Sequence, residues 1–211
     1  MRKQTRPPIP KILAEHGPEW SRQWTDLRAR NPSASFQWYQ TGGKTAREWL
    51  LPDLKSMTQD HCAFCDSFPL DDRSKEPIEH FKPKSDPRFY AEAYGWENLY
   101  YCCDRCQSSK GEQWDDRLLR PDAADYAFER YFLFDYTTGE IKPNCVASPA
   151  DQECARVTIS LYGLDRGPKR RARCLELRKW QRSDERRLDE WAYRDFLETG
   201  DDAAPASSRG A

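Results

Sequence analysis

β-Branched aliphatic residues are scarce in this chain. Isoleucine and valine together number seven in 211 residues, too few to line a large sheet, so a strand-built core is excluded. Long apolar runs are missing as well. With 33% charged residues, a mean hydropathy of -1.00 and no apolar stretch of about 18 residues, no segment can cross a bilayer as a helix. Net charge is almost absent, at -1, so no global field draws the chain to nucleic acid and any such affinity has to come from local patches. The start, "MRKQTRPPIPKILAEHG", is basic but has no apolar stretch long enough for a signal peptide, so export is not expected.

Aromatic residues are plentiful. They make up 13% of the chain, with eight tryptophans, and predict a helical, aromatic-rich core. The length suits one domain or a small pair. Eight cysteines in a chain without an export signal point to a reducing, cytoplasmic setting and to metal binding rather than a disulfide framework.

Helix signals frame the chain. Pro18-Glu19 opens an expected helix through Trp20, Trp24 and Leu27 that closes at Asn31-Pro32. After a Gly42-Gly43 break, Thr45-Ala46-Arg47-Glu48 has the form of a capping box ahead of Leu50, Leu54 and Met57, and Pro52 is expected to kink or restart that helix. "RYFLFDYTTGEIKPN" reads as a hairpin turning at Thr138-Gly139. Ser148-Pro149 starts a helix that stops at Gly163, and Pro168 is expected to start the last and longest one, with Trp180, Leu188 and Trp191 on its buried side. No internal repeat is visible. The expected fold class is α+β, mainly helical: an N-terminal helical region over 1–59, a metal-organised centre over 60–122, a hairpin with C-terminal helices over 123–198, and a disordered tail over 199–211.

The centre holds two Cys-x-x-Cys units, Cys62/Cys65 and Cys103/Cys106, with 37 residues between them. Each offers two thiolates on a tight turn, and four sulfurs complete the tetrahedron that Zn²⁺ prefers, which predicts a closed structural zinc site. Cys102, Cys145, Cys154 and Cys174 lack this spacing and are expected to be free buried thiols. His61, beside Cys62, is a minor competing ligand.

A zinc saturated by thiolates has no open position, so chemistry needs other groups. The candidates are Glu79-His80, Asn98, Gln107 and Lys110. An acidic residue beside a histidine offers a carboxylate for a hard divalent cation and an imidazole suited to general base work, and Lys82 and Lys84 add positive charge next to them. Such a set suits hydrolysis of a phosphodiester.

The order Cys-x-x-Cys, Glu-His-Phe-x-Pro-Lys-Ser, Trp-x-Asn-Leu, Cys-x-x-Cys-Gln-x-x-Lys-Gly resembles the HNH endonucleases of the ββα-metal fold. More narrowly it resembles the PtuB-type HNH proteins of Septu and retron anti-phage systems, to which "PPIPKIL", "FLFDYTTGEIKPN" and "TISLYGLDR" are also similar. The resemblance implies a zinc-stapled HNH ββα-metal core over 60–122. It makes His80 the base that deprotonates water, Glu79 a ligand of a catalytic Mg²⁺ or Mn²⁺, Asn98 the residue that orients the histidine-bearing loop, and Lys110 a phosphate contact. Gln107 takes a position where many members carry His or Asn; its amide oxygen suits Mg²⁺ but is a weaker ligand than imidazole for softer metals. The implied partners are a nucleic acid, a PtuA-type ATPase and, through that ATPase, a retron RNA/DNA complex.

Between Arg166 and Arg187 ten Lys or Arg face three acids. Arg170, Arg171 and Arg173 are candidates for holding phosphates, and a solvated or partner-facing helix surface is the competing reading. The expected function is a metal-dependent HNH endonuclease acting in defence against phage. The alternative is a zinc-organised nucleic-acid-binding or scaffold subunit without catalysis, for which Gln107 is the main sequence argument.

Overall fold

The computed structural model describes residues 1–70, 77–185 and 187–202. An extended N-terminal segment leads into α1 (Lys11–Arg30), which begins two turns earlier than the sequence suggests and carries Pro18 in its interior. Leu13, Gly17, Trp20, Ser21 and Trp24 form one buried stripe on both sides of Pro18, and this burial outweighs the local cost of a proline, about 3 kcal/mol. The Gly42-Gly43 break is a hairpin, β1 (Gln40–Thr41) with β2 (Lys44–Thr45). Both glycines have positive φ, +57° and +77°, as a two-residue type I′ turn requires.

Helix α2 (Ala46–Thr58) follows directly, with the Thr45/Glu48 capping box formed in both directions. It runs through Pro52 without a break, held by buried Leu50, Leu54 and Thr58. Strand β3 (Ile78–His80) pairs antiparallel with β4 (Leu99–Tyr101), Glu79 opposite Tyr100 and His80 opposite Leu99, and two 3₁₀ turns, Pro87–Glu92 and Trp96–Asn98, lie between them. The helix α3 (Asp104–Lys110) comes next. A short α4 (Phe128–Tyr131) leads into the expected hairpin, β5 (Phe132–Asp135) with β6 (Glu140–Pro143). Ser148 caps α5 (Pro149–Leu161) through the Asp151 amide, as its Ser-Pro start suggests.

The C-terminal region corrects the sequence reading. Helix α6 (Gly167–Arg182) has 16 residues against 20 in α1, and it is not the last: Ser183 turns extended, a 3₁₀ turn covers Leu188–Glu190, and α7 (Arg194–Asp202) closes the described chain. Trp180 and Trp191 do meet, edge to face at 5.5 Å, but from separate elements. Thr199–Asp202, assigned to the tail, are helical, and the rest of that tail lies outside the described residues.

Among the described residues the architecture is α+β, with helices dominant and three separate two-stranded sheets. Among the described residues no helix is long and apolar enough to cross a membrane. The main core is aromatic, with Trp20, Trp24, Phe36, Trp38, Tyr39 and Tyr94 packed ring against ring, and a smaller cluster of Leu177, Trp180, Phe196 and Leu197 lies under the C-terminal helices. Two buried ion pairs fasten the chain ends to the centre. Arg6 holds Asp122 at 2.5 Å and stacks over the Tyr100 ring, and Arg194 holds Asp66 at 2.6 Å beside the first cysteine pair.

Candidate metal centre and the adjoining glutamate–histidine site

Two chain reversals bring the cysteine pairs together. Gln59 and Asp60, both at positive φ, end α2 and throw the chain into the Cys62–Cys65 turn, which Ala63 N–H ties to the Tyr101 carbonyl of β4 at 2.8 Å. The same strand delivers Cys103, the N-cap of α3, and Cys106 lies in the first turn of that helix. All four sulfurs lie within 4.8 Å of one another, and all four cysteines are buried. Cys65 Sγ and Cys103 Sγ are 3.6 Å apart, close to the separation of about 3.8 Å that Zn–S bonds of about 2.3 Å impose in a tetrahedron.

Donors face two of the sulfurs. Cys103 N–H donates to Cys62 Sγ at 3.4 Å, and the ammonium of buried Lys169 lies 3.0 Å from Cys106 Sγ. Burial pushes the Cys62 and Cys106 thiols up, whereas hydrogen bonds from Cys103, Cys106 and Cys62 pull Cys65 well below its usual value. Burial works against the charge of Lys169, but the sulfurs of Cys106 and Cys65 outweigh it and hold the ammonium protonated. These residues fit a structural zinc.

Cys102 is buried with its sulfur 3.9 Å from that of Cys62, outside the four-sulfur set. Of the other cysteines expected to be buried, Cys154 and Cys174 are half-buried and Cys145 is exposed. His61 is no ligand here: its ring nitrogens face the backbone carbonyls of Gln59 and Trp191.

The centre's second half stands on β3, β4 and α3. Glu79, His80, Lys84, Gln107 and Glu112 line one cavity of about 120 Å³, so residues spread over the 37-residue spacer and its edge share a site. His80 is buried, stacked on Trp38 at 5.4 Å and edge-on to Phe36 at 5.0 Å. Its Nε2 donates to the Ala93 carbonyl at 3.0 Å, which leaves the lone pair on Nδ1. Burial first, then the Lys84 ammonium, holds the imidazole well below its usual pKa, so it is neutral at neutral pH.

Asn98 clamps the turn that follows His80. Its Oδ1 accepts from Lys82 N–H at 2.7 Å, and its Nδ2 donates to the carbonyls of Lys82 and Glu92, each at 3.1 Å. Glu79 is buried and raised above the usual carboxylate range by that burial, with Lys110 opposing the rise. Lys110, expected on a phosphate, is fully buried instead, its Nζ 2.6 Å from Glu79 Oε1. Gln107 Nε2 donates to the Cys102 carbonyl at 2.9 Å. Carboxylate and amide oxygens are the donor chemistry a hard cation takes, so Glu79 and Gln107 suit Mg²⁺ or Mn²⁺ in kind.

The basic residues divide. Lys84 lines the cavity, and Lys82 pairs with Glu92 at 2.8 Å. Arg173 is buried and donates to the Gly139 and Leu164 carbonyls, Arg170 pairs with Asp165 and Glu140, and Arg171 is exposed. Lys169, Arg170 and Arg173 of α6 therefore serve the fold, Arg171, Arg178, Lys179 and Arg182 stay on its surface, and Arg186 lies outside the described residues. Sequence reasoning missed Glu112, Lys169 and Arg105. Glu112 follows Gly111 and Arg105 precedes Cys106, but Lys169 stands 63 positions from Cys106 and carries no such hint. Arg105 and Arg166, both exposed, flank a groove of about 350 Å³ over the outer face of α3.

Comparison with protein-family models gives no match and a search of curated proteins gives none, so the HNH resemblance rests on the quoted residues alone.

Proposed function

We propose that the protein is a metal-dependent HNH-type endonuclease that hydrolyses phosphodiester bonds of nucleic acid. One observation carries the reading: a buried neutral histidine, its proton fixed on Nε2 by Ala93 and its turn clamped by Asn98, lines the same small cavity as Glu79 and Gln107. His80 Nδ1 takes a proton from water, and the cavity is of a size for a few waters at about 30 Å³ each. Lys84 at the cavity, with exposed Arg105, Arg166 and Arg171, supplies positive charge for the phosphate backbone. A Mg²⁺ or Mn²⁺ held by Glu79 and Gln107 would supply Lewis-acid stabilisation of the negative charge that builds on the phosphate. The four cysteines would hold zinc as the staple under this site.

By the PtuB resemblance the protein acts in the cytoplasm with a PtuA-type ATPase in defence against phage, and reaches a retron RNA/DNA complex through that ATPase. The test is cleavage of duplex DNA, single-stranded DNA and tRNA with Mg²⁺ and the partner ATPase present. His80→Ala is expected to lower the rate by at least about 10²-fold. Equal cutting by His80→Ala and wild type, or no cutting of any substrate by wild type, removes the reading. A non-catalytic nucleic-acid-binding or scaffold subunit is then favoured, and the specific observation on its side is that Glu79 already carries Lys110.

A further inference from the structure

Glu79 already has a cation. Lys110 Nζ lies 2.6 Å from Glu79 Oε1, 3.1 Å from the His80 carbonyl oxygen and 3.4 Å from that of Gly111, with no exposure to solvent. Three oxygens, one of them anionic, thus surround a single positive charge, as they would a hard metal ion. The two cations exclude each other, because like charges a few ångströms apart in a buried site repel strongly. Glu112, the other carboxylate on the cavity, is exposed and bonded to the Ser85 hydroxyl, so Glu79 is the buried acid there.

We propose, resting on the nuclease reading above, that Lys110 is the resting counter-cation of Glu79 and that a divalent ion reaches this carboxylate only by displacing the ammonium. Metal loading and release of Lys110 are then one exchange. The resting protein holds its site closed with its own side chain, and the occupancy of the divalent ion is set by competition with Lys110.

The test uses the zinc-loaded full chain and Mn²⁺, with binding followed by electron paramagnetic resonance and by the shift of the unfolding midpoint. Lys110→Met should bind Mn²⁺ at least about tenfold more tightly than wild type, because the competitor is gone. The double variant Lys110→Met/Glu79→Gln should lose that gain. Equal affinity in wild type and Lys110→Met, or a gain that survives in the double variant, overturns the exchange. Folding of Lys110→Met only with Mn²⁺ present supports it; failure to fold even with Mn²⁺, while the double variant folds, overturns it.

Wild type gives an independent measurement. Acylation of the Lys110 amine, read by peptide mass spectrometry, should rise several-fold when Mg²⁺ saturates the protein, and an unchanged yield contradicts the exchange. The two ideas fail separately. Cutting by wild type with Lys110 still protected removes the exchange and leaves the nuclease, whereas cutting by His80→Ala removes the nuclease and leaves the Mn²⁺ comparison decisive for Lys110.

Discussion

The Asp122 side chain is only 2% exposed and is surrounded by donors. Arg6 Nε lies 2.5 Å from its Oδ2, Arg120 Nη2 3.2 Å from the same oxygen, and the Tyr100 hydroxyl donates to its Oδ1 at 2.6 Å. Burial alone would raise its pKa, but the Tyr100 hydroxyl and Arg6 outweigh it and hold the carboxyl below the ordinary aspartate value. Because the folded value is the lower one, the unfolded chain takes up the proton first as pH falls. The stabilisation is therefore complete above about pH 4 and is lost as pH drops from there through the folded pKa. Asp122→Asn should cost about 3 kcal/mol at pH 7, since it takes the close, buried carboxylate from the nearly buried Arg6 and leaves it only the exposed Glu97 at 3.7 Å, and the gap to wild type should close below about pH 4. Urea midpoints of the two proteins at each pH measure it, and a gap that stays constant with pH contradicts this account. Nothing in "RPDAAD" announces such a role. That Glu79 and His80 set a carboxylate and an imidazole side by side was legible in the sequence, whereas the rings of Phe36 and Trp38 that bury His80 were not.

Local rules decided many of the elements. The Thr45 capping box, the Ser148-Pro149 start and the Thr138-Gly139 turn all lie where short-range chemistry puts them. Gly139 does more than turn the hairpin. It has φ +72°, a Cβ there would run into the Arg170 carbonyl and lie 2.9 Å from Cys174 Sγ, and its own carbonyl accepts from Arg173 at 2.6 Å. Gly139→Ala should cost roughly 2–4 kcal/mol, the left-handed strain plus the clash. Gly43→Ala, at φ +77° with open space around it, should cost only about 1–2 kcal/mol. Chemical denaturation of both proteins checks the ordering, and equal costs would mean that the α6 contact contributes nothing. The interior prolines of α1 and α2 show the limit of local rules. Pro18 and Pro52 read as boundaries in the sequence, yet buried stripes on either side carry both helices through.

Across the whole molecule, the four-cysteine cluster joins segments that share little regular structure. One zinc per chain is expected by elemental analysis, and its removal by a chelator should unfold 60–122, seen as loss of near-ultraviolet circular dichroism. Four thiolates around Zn²⁺ carry a buried net negative charge, and Lys169 is the cation hydrogen-bonded to it. Lys169→Met should release zinc to a competing chelator more readily, by about 10- to 100-fold in affinity. Unchanged release would reduce Lys169 to a packing residue.

The sequence by itself determined the two cysteine pairs, the capped helices, the hairpins' turns and the types of group at the site, because each depends on neighbours a few residues away. Only the tertiary structure decided how the charges are spent. Lys110 faces Glu79 across 31 residues of chain, Arg173 turns inward to Gly139, and Arg194 reaches Asp66 across 128 residues. A lysine or arginine in a sequence looks the same whether it meets phosphate or a buried carboxylate. Its partner is fixed by desolvation and packing, and those exist only once distant segments have come together.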